Sequence, residues 1–291
     1  MQRSIRTSRP QLVCVLADNS GSMRGPKAEA ATRGLREMLL NCQMKGPRGH
    51  DRSYFRFVLI RFGSHAHVDE QSYMKSVREI DPDTIEIRGD GGGTNITEAL
   101  ELAYRGLSGY MRDVVEKHQE RDRYPLPIVL LFSDGHNGGA CPLGVADQIR
   151  SLNVDGDSVL IAAASVWVDG SMPPDGNLLR EIATPGCYVD IDRPELLTEF
   201  LAEVGSSAAT SAQELARLSG RLQPETTRYV EYDAPRGLPA PPAPHAPSSK
   251  SSGGGGRRRR KSRGRGGRPG NPLSVQKGPK LPAIENYGRG D

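Results

Sequence analysis

The stretch that decides the fold is residues 12–23, which read Leu-Val-Cys-Val-Leu-Ala-Asp-Asn-Ser-Gly-Ser-Met. Its first six residues are apolar, and a run rich in Val and Leu predicts a strand buried on both faces, as in a parallel sheet. Asp18, Ser20 and Ser22 follow at the end of this strand. Because ligands of open parallel sheets gather beyond the carboxyl ends of the strands, these oxygen-bearing side chains predict a site for a hard cation.

Outward from this strand, apolar runs alternate with segments of helical periodicity. Further strands are predicted at 54–62, 127–132, 158–166 and 187–191, and helices at 27–42, 95–115, 145–152, 178–183 and 194–204. Residues 65–69 are expected to pair antiparallel with 54–62, and residues 84–87 to form a short strand or an extended loop. This alternation predicts an α/β fold with a doubly wound, mostly parallel sheet, one antiparallel edge strand and helices on both faces.

Composition divides the chain into four parts. Residues 1–10 are an N-terminal extension, 11–205 the α/β domain, 206–233 a short helical extension, and 234–291 a tail rich in Pro, Gly and Arg. The tail holds 13 Lys and Arg against 2 acidic residues, a net charge of +11, so a chain of net charge +4 leaves −7 for residues 1–233. The tail has too little apolar surface to offset the entropy of ordering, so we expect it to be disordered.

The expected compartment is the cytoplasm. No segment approaches the roughly 20 apolar residues that span a bilayer, and the first apolar run is too short for a secretory signal. The four cysteines, at positions 14, 42, 141 and 187, form no CxxC pair. This spacing favours reduced thiols over a zinc site or a disulfide framework. We therefore expect no membrane partner.

Three separated stretches are expected to meet at one edge of the sheet. They are Asp18-x-Ser20-x-Ser22, Thr94 at the end of the glycine-rich loop 89–94, and Asp134 after strand 127–132. Together they supply two carboxylates and three hydroxyls, which suit the oxygen-ligand preference of Mg²⁺. Neutral hydroxyls leave much of the charge of the ion uncancelled, so a free coordination position would accept an Asp or Glu carboxylate from a partner protein.

These residues resemble a known motif. Asp18-Asn-Ser20-Gly-Ser22, Thr94 and Ser133-Asp134-Gly135 resemble the metal-ion-dependent adhesion site of von Willebrand factor A domains, and the resemblance extends over about residues 11–204. It implies a Rossmann-like fold and Mg²⁺, or else Mn²⁺ or Ca²⁺, as the ion. The implied ligands are Asp18, Ser20, Ser22, Thr94 and Asp134. A partner-binding rim is expected beside them at Asn19, Met23, Asn95 and His136.

Residues 20–25, Ser-Gly-Ser-Met-Arg-Gly, narrow the resemblance to the small bacterial TerY-like proteins of tellurium resistance. This implies a role in a stress-response or phospho-signalling system, with a Ser/Thr kinase or a PP2C-type phosphatase as partner. Two features depart from the pattern. Asn19 stands where Thr or Ser is usual, and the basic tail is not part of the family.

Catalysis is not expected at this site. A phosphatase of the haloacid dehalogenase type needs a second Asp where Ser20 stands, and the chain lacks the Gly-Lys-Ser/Thr ending of a phosphate-binding loop at residues 22–27. A serine hydrolase needs a paired His base, and His136 is the sole candidate near the site. The protein is therefore predicted to be a binding module and not an enzyme.

The basic tail offers an alternative function. Its cations pair readily with phosphates, so the tail is a candidate for binding nucleic acid or for acting as a scaffold. It lacks aromatic residues for base stacking, which argues against reading a sequence. A solubilising linker is an equally weighted interpretation. The candidate nucleic-acid contacts are Arg257, Arg258, Arg259, Arg260, Lys261, Arg263, Arg265 and Arg268.

Overall fold

A computed structural model describes residues 10–44, 55–112, 127–134, 136–154, 157–167 and 176–207 of the 291. Residues 1–9 and 208–291 lie outside the described residues. They include the tail with its candidate nucleic-acid contacts and nearly all of the 206–233 extension. The described residues therefore belong almost entirely to the predicted α/β domain.

The sheet is built around β1 (Gln11–Asp18), whose eight residues are all buried. The other strands are β2 (Phe55–Phe62), β3 (Ala66–Val68), β4 (Lys75–Ser76), β5 (Ile128–Ser133), β6 (Asn153–Val154), β7 (Asp157–Ser158), β8 (Leu160–Val166) and β9 (Tyr188–Ile191). The main sheet has the order β3-β2-β1-β5-β8-β9, and β4 also pairs with β2, while β6 and β7 form a separate antiparallel hairpin. Within the main sheet, β3 and β4 run antiparallel to β2, and the other pairings are parallel.

Five helices cover the two faces of the sheet within the described residues. They are α1 (Pro26–Met44), α2 (Ile96–Tyr110), α3 (Leu143–Ser151), α4 (Gly176–Ile182) and α5 (Pro194–Ser207). The apolar residues of α1 and α5 pack on one face, and those of α2, α3 and α4 on the other. Alternate residues of each strand enter the two cores, because successive strand side chains point to opposite faces. The predicted fold class is confirmed.

The packing of α1 on α5 is close enough to require glycine at position 34. A Cβ there would lie 2.9 Å from Cδ1 of Leu201 and 3.0 Å from Cα of Thr198. The middle of α1 therefore lies directly against α5, with no room for a side chain at this position.

Residues 84–87 form no strand. Pro82–Thr84 is a 3₁₀ turn, and the chain then runs extended with Ile85 and Ile87 buried in the core. The extended-loop alternative is therefore the correct one. A buried apolar pair at alternate positions looks like a strand in sequence, but here it anchors a loop.

The order of the strands positions the site. From β1 the chain moves to β2 on one side, and later returns to add β5 on the other side. The strand order reverses between β1 and β5, and in open α/β sheets ligands bind in the crevice at such a point, outside the carboxyl ends of the strands.

None of the helices in the described ranges combines the length and the apolar character that crossing a bilayer requires.

Candidate metal site

Asp18 is held from two sides at the carboxyl end of β1. The register places Ala17 beside Phe132, so Asp18 neighbours Ser133 at the end of β5. The hydroxyl of Ser133 donates to Oδ2 of Asp18 (2.5 Å), and the backbone N–H of Ser20 donates to Oδ1 (2.8 Å). The orientation of the buried carboxylate is therefore fixed by its own loop and by the neighbouring strand.

Burial raises the pKa of Asp18 to about 6. The hydrogen bonds from Ser133 and Ser20 act in the opposite direction, and the negative charge of Asp134 adds to the increase. Loss of water around a carboxylate disfavours its charged form. A cation placed here would relieve that cost.

Ser20 and Ser22 present their hydroxyls together. Residues Gly21–Met23 form a 3₁₀ turn directly after β1, and this turn brings Oγ of Ser20 to 3.0 Å from Oγ of Ser22. Ser20 is buried, whereas Ser22 is exposed. The two hydroxyls thus line one point on the edge of the sheet.

The glycine-rich loop is bonded directly to this turn. Its Gly91 N–H donates to the carbonyl of Asn19 (2.8 Å), and Gly21 N–H donates to the carbonyl of Gly92 (2.7 Å). Gly92 has a φ of +79°, in the left-handed region that favours glycine. The carbonyl of Thr94, at the end of the loop, accepts from Gly138 N–H in the loop after β5 (2.7 Å). All three predicted stretches therefore meet at this edge.

The turn between β2 and β3 supports the loop from the other side. Ser64 N–H donates to the carbonyl of Gly91, and Ser64 Oγ accepts from Gly93 N–H, both at 2.8 Å. A Cβ at Gly63 would overlap the backbone of Gly91. The two backbones touch with no side chain between them.

Asn19 holds the glycine-rich loop and does not form a rim. Its side chain is buried, with Oδ1 accepting from the N–H groups of Arg88 (2.8 Å) and Gly89 (2.9 Å). Its Nδ2 donates to Oδ1 of Asp90 (2.8 Å). The prediction of a rim position for Asn19 is wrong, because the whole amide is used to bind residues 88–90.

The other predicted rim residues fall into two groups. Met23 is fully buried in the core beneath α1, so its assignment to a rim is wrong. Asn95 is half-buried and caps α2, accepting from the N–H of Glu98 at 3.2 Å. His136 is exposed. For Asn95 and His136, contact with a partner stays a prediction.

Asp134 has an unsatisfied oxygen. The residue is 3% exposed, and its Oδ2 lies 3.4 Å from Nζ of Lys27. Its Oδ1 is buried and finds no hydrogen-bond partner among the described residues. Buried polar atoms are nearly always bonded, and a lone carboxylate oxygen is costly to leave unpaired. An orphaned oxygen beside Asp18 and the serine hydroxyls is what a divalent cation would satisfy.

The donor set fits a hard cation. Asp18, Ser20, Ser22, Thr94 and Asp134 supply oxygen only, as Mg²⁺, Mn²⁺ and Ca²⁺ prefer. The described part of the chain contains no group of three or more His, Cys, Asp or Glu side chains that could hold a metal ion, so an ion at this edge would depend on hydroxyls as well as on the two carboxylates. These five residues would hold the ion through two carboxylates and three hydroxyls.

Two side chains at this edge are not among the predicted site residues. Ser133 belongs to the motif without being a predicted ligand, and its hydroxyl orients Asp18. Lys27 is predicted only as the first residue of a helix, and its ammonium group reaches Asp134, 107 positions later in the chain. The sequence does contain an indication for Lys27. A cation in the first turn of a helix interacts unfavourably with the helix dipole, so a lysine there suggests a stabilising contact with an acidic residue.

Comparison with known proteins gives a family match over part of the chain. Residues 13–136 match the family model described as the von Willebrand factor type A domain. Among curated proteins, none matches the chain.

Three solved structures illustrate the likeness. A von Willebrand factor type A structure from Catenulispora acidiphila is 17% identical, with a TM-score of 0.46, over 69% of this chain and 43% of that one. Proximal thread matrix protein 1 from the mussel byssus, with a zinc-occupied MIDAS motif, is 16% identical, with a TM-score of 0.46, over 68% and 48%. Manganese-loaded Plasmodium vivax TRAP protein is 18% identical, with a TM-score of 0.43, over 68% and 73%. The chain spans 43–48% of the length of the first four structures that it matches.

Proposed function

We propose that this chain, with its von Willebrand factor type A domain, is a non-enzymatic module that binds an acidic side chain of a partner protein through a divalent ion. Mg²⁺ is the proposed ion. The observation that supports this most directly is the buried Oδ1 of Asp134, which has no hydrogen-bond partner among the described residues and lies at the edge that also holds Asp18 and the hydroxyls of Ser20 and Ser22.

The roles of the residues follow from their charges and positions. When bound, the ion supplies an electrophilic position for a carboxylate. Asp18 and Asp134 provide the negative charge that attracts it, and Ser20, Ser22 and Thr94 provide neutral oxygens. Ser133 and the backbone of Ser20 keep Asp18 in place. The module thus contributes a preorganised oxygen cluster, and the partner contributes the acid.

A binding role suits this site better than catalysis. The Ser133 hydroxyl donates to the carboxylate of Asp18, a contact that orients a proposed metal ligand. His136, the histidine that follows Asp134 most closely, is exposed. The proposed chemistry therefore requires positioning and charge but no proton transfer.

The biological setting is a finer proposal. The TerY-like sequence at residues 20–25 supports a cytoplasmic stress or phospho-signalling system in which the partner is a Ser/Thr kinase or a PP2C-type phosphatase. The measurement that addresses it is a binding assay of the full chain with a Ser/Thr kinase and with a PP2C-type phosphatase, with and without Mg²⁺.

The experiment that tests the central proposal measures metal binding first. Titration calorimetry with Mg²⁺, and in parallel with Mn²⁺, Ca²⁺ and Zn²⁺, should show binding to the full chain. The variants Asp18→Ala and Asp134→Ala should lose it. Asp147→Ala, which removes an exposed acid on α3, is the matched control and should bind normally.

Partner capture provides the second measurement. The immobilised full chain should retain a specific protein in Mg²⁺ and release it in EDTA, and both site variants should fail to retain it. Retention that survives EDTA and both substitutions would contradict the proposal, as would a wild-type chain that binds none of the four ions.

The basic tail supports a second candidate function. Its 13 Lys and Arg against 2 acids favour non-specific binding to RNA or DNA by counterion release. Deleting residues 253–268 should abolish salt-dependent RNA retention and leave the Mg²⁺ affinity unchanged. RNA retention that persists after the deletion would rule out this role for the tail.

A further inference from the structure

Lys27 is an unusual residue for its place in the fold. It is the second residue of α1 and only 6% exposed, although lysines are rarely buried. The N-terminus of a helix carries a partial positive charge, which disfavours a cation in the first turn. Neither burial nor the helix explains the lysine, so its stabilising contact must come from elsewhere.

That contact is Asp134. Nζ of Lys27 lies 3.4 Å from Oδ2, and the two side chains are 8% and 4% exposed. Charges this deeply buried are weakly screened by solvent and salt. The lysine engages one carboxylate oxygen and leaves Oδ1 without a partner among the described residues. Lys27 therefore acts on Asp134 without filling the position that a cation would take.

The neighbouring arginines are committed to other groups. Nε of Arg24, an exposed residue, donates to the carbonyl of Gly89 (2.8 Å). The guanidinium of Arg88 pairs with Glu86 (2.7 Å). In the described part of this edge, Lys27 is thus the buried cation that pairs with Asp134.

A charge balance shows what this cation does. With both carboxylates ionised, Asp18, Asp134 and Lys27 sum to one negative charge, and adding a divalent ion gives one positive charge. Without the lysine, the same loaded site would be neutral. Like charge weakens the binding of the metal ion, and a net positive charge favours an anionic ligand over a neutral one.

We propose that Lys27 is a positioning residue that sets the charge of this site, lowering its affinity for the divalent ion and raising the affinity of the loaded site for a carboxylate. The inference rests on the proposed function and deepens it. The site is selective for an acid because a buried lysine prevents the carboxylates from neutralising the ion.

The test uses two neutral variants of the full chain, Lys27→Met and Lys27→Gln. Titration calorimetry should show that both bind Mg²⁺ more tightly than the wild type, by about tenfold or more. Lys75→Met removes an exposed lysine on β4 and is the matched control for total charge, with an expected affinity within about twofold of the wild type. Equal or weaker Mg²⁺ binding in both neutral variants would overturn the inference.

A second readout addresses the carboxylate. With Mn²⁺ bound, water proton relaxation reports displacement of coordinated water by acetate, the probe for a partner acid. The neutral variants should require several-fold more acetate than the wild type for half-displacement. An unchanged or smaller requirement would overturn the selectivity part of the inference.

The two levels of proposal fail differently. A wild-type chain that binds no divalent ion contradicts the proposed function itself. A wild type that binds Mg²⁺ with the same affinity as both neutral variants contradicts only the role of Lys27.

Melting curves in EDTA should show that the neutral variants still fold cooperatively. Their melting temperature should be lower than that of the wild type, because Asp134 has lost its counter-ion. Adding Mg²⁺ should raise the melting temperature of the neutral variants more than that of the wild type.

Discussion

Two polar clusters lie near the carboxyl ends of strands in one sheet, and they differ in how fully their carboxylates are bonded. The β1–β5 cluster comprises Asp18, Lys27, Ser133 and Asp134, and the β8–β9 cluster comprises Ser165, Arg180, Tyr188 and Asp190. In the second cluster, Asp190 accepts from Ser165 (2.5 Å), contacts the hydroxyl of Tyr188 and faces Arg180 at 3.5 Å. In the first, Asp134 keeps an unpaired oxygen among the described residues.

Further contacts hold the side chains of the β8–β9 cluster to one another. The guanidinium of Arg180 lies 4.6 Å from the ring centroid of Tyr188, a favourable stacking of a cation on an aromatic face. Burial raises the pKa of the Tyr188 hydroxyl, and its hydrogen bond to Asp190 adds to this, so the hydroxyl stays protonated. A satisfied network stabilises the fold, whereas an unsatisfied one retains the capacity to bind a ligand.

The largest expected difference between the clusters is in metal affinity. Asp134→Asn should weaken Mg²⁺ binding by about 100-fold or more, because even groups that only orient a metal ligand contribute about 10- to 100-fold. Asp190→Asn should leave it within about twofold, since Asp190 contacts Ser165, Tyr188 and Arg180 of its own cluster. Titration calorimetry measures both. Similar losses in the two variants would remove the distinction.

The next effect is on stability in EDTA, where the two clusters should respond with opposite signs. At pH 7.5, Asp18→Asn should increase the free energy of unfolding by about 2–3 kcal/mol, since one pKa unit corresponds to about 1.4 kcal/mol and the pKa of Asp18 is raised from 3.8 to about 6. Asp190→Asn should decrease it by about 1–2 kcal/mol through lost charge-assisted bonds. Urea denaturation provides the values.

The gain in Asp18→Asn should also depend on pH. A raised carboxyl pKa means that the folded state binds the proton more tightly than the unfolded state does. The contribution of Asp18 to stability is therefore fully present below about pH 4 and is lost as the pH rises to about 6. The variant and the wild type should have similar stability at pH 4 and diverge above it. A constant difference across this range would show that burial of the charge is not the cause.

A smaller effect on metal affinity is expected from the residue that holds the glycine-rich loop. Asn19→Ala removes three hydrogen bonds to residues 88–90 and should weaken Mg²⁺ binding by about tenfold, by loosening the loop that ends in Thr94. Asn41→Ala, which removes a side-chain bond from α1 to α5, is the control and should bind normally. Equal affinities of Asn19→Ala and the wild type would show that the loop needs no such support.

The smallest expected effect is on stability, from a substitution in the β8–β9 cluster. Tyr188→Phe removes a hydroxyl that contacts Asp190 and Ser165, and should lower the free energy of unfolding by about 0.5–1.5 kcal/mol. The Mg²⁺ affinity should not change. A measurable change in that affinity would mean that the two clusters are coupled across the sheet.

Much of the fold and the outline of the site could be predicted from the sequence, because both depend on local patterns. Apolar runs in the sequence predict the buried strands, and the carboxyl ends of neighbouring parallel strands must lie at the same edge of the sheet. This places Asp18 beside Ser133 and Asp134 without any coordinates. The resemblance of the motif then suggests which oxygens would serve as ligands, an assignment that stays a prediction.

The directions of individual side chains could not be predicted in this way. Asn19 sits between two predicted ligands, but its amide reaches back to residues 88–90. Met23 follows the motif, yet the 3₁₀ turn directs it into the core. The pairing of Lys27 with Asp134 depends on how α1 lies across the sheet, which periodicity does not specify. Tertiary packing decides these cases.

The direct contact between the Gly63 and Gly91 backbones has a consequence for how this protein tolerates mutation. The turn between β2 and β3 contributes no predicted ligand, yet it shares a tight junction with the loop that ends in Thr94. A random screen for lost Mg²⁺ binding should therefore recover changes at Gly63 as readily as changes at the proposed ligands. Such a screen would then identify Gly63 as sensitive to substitution, although it supplies no predicted ligand.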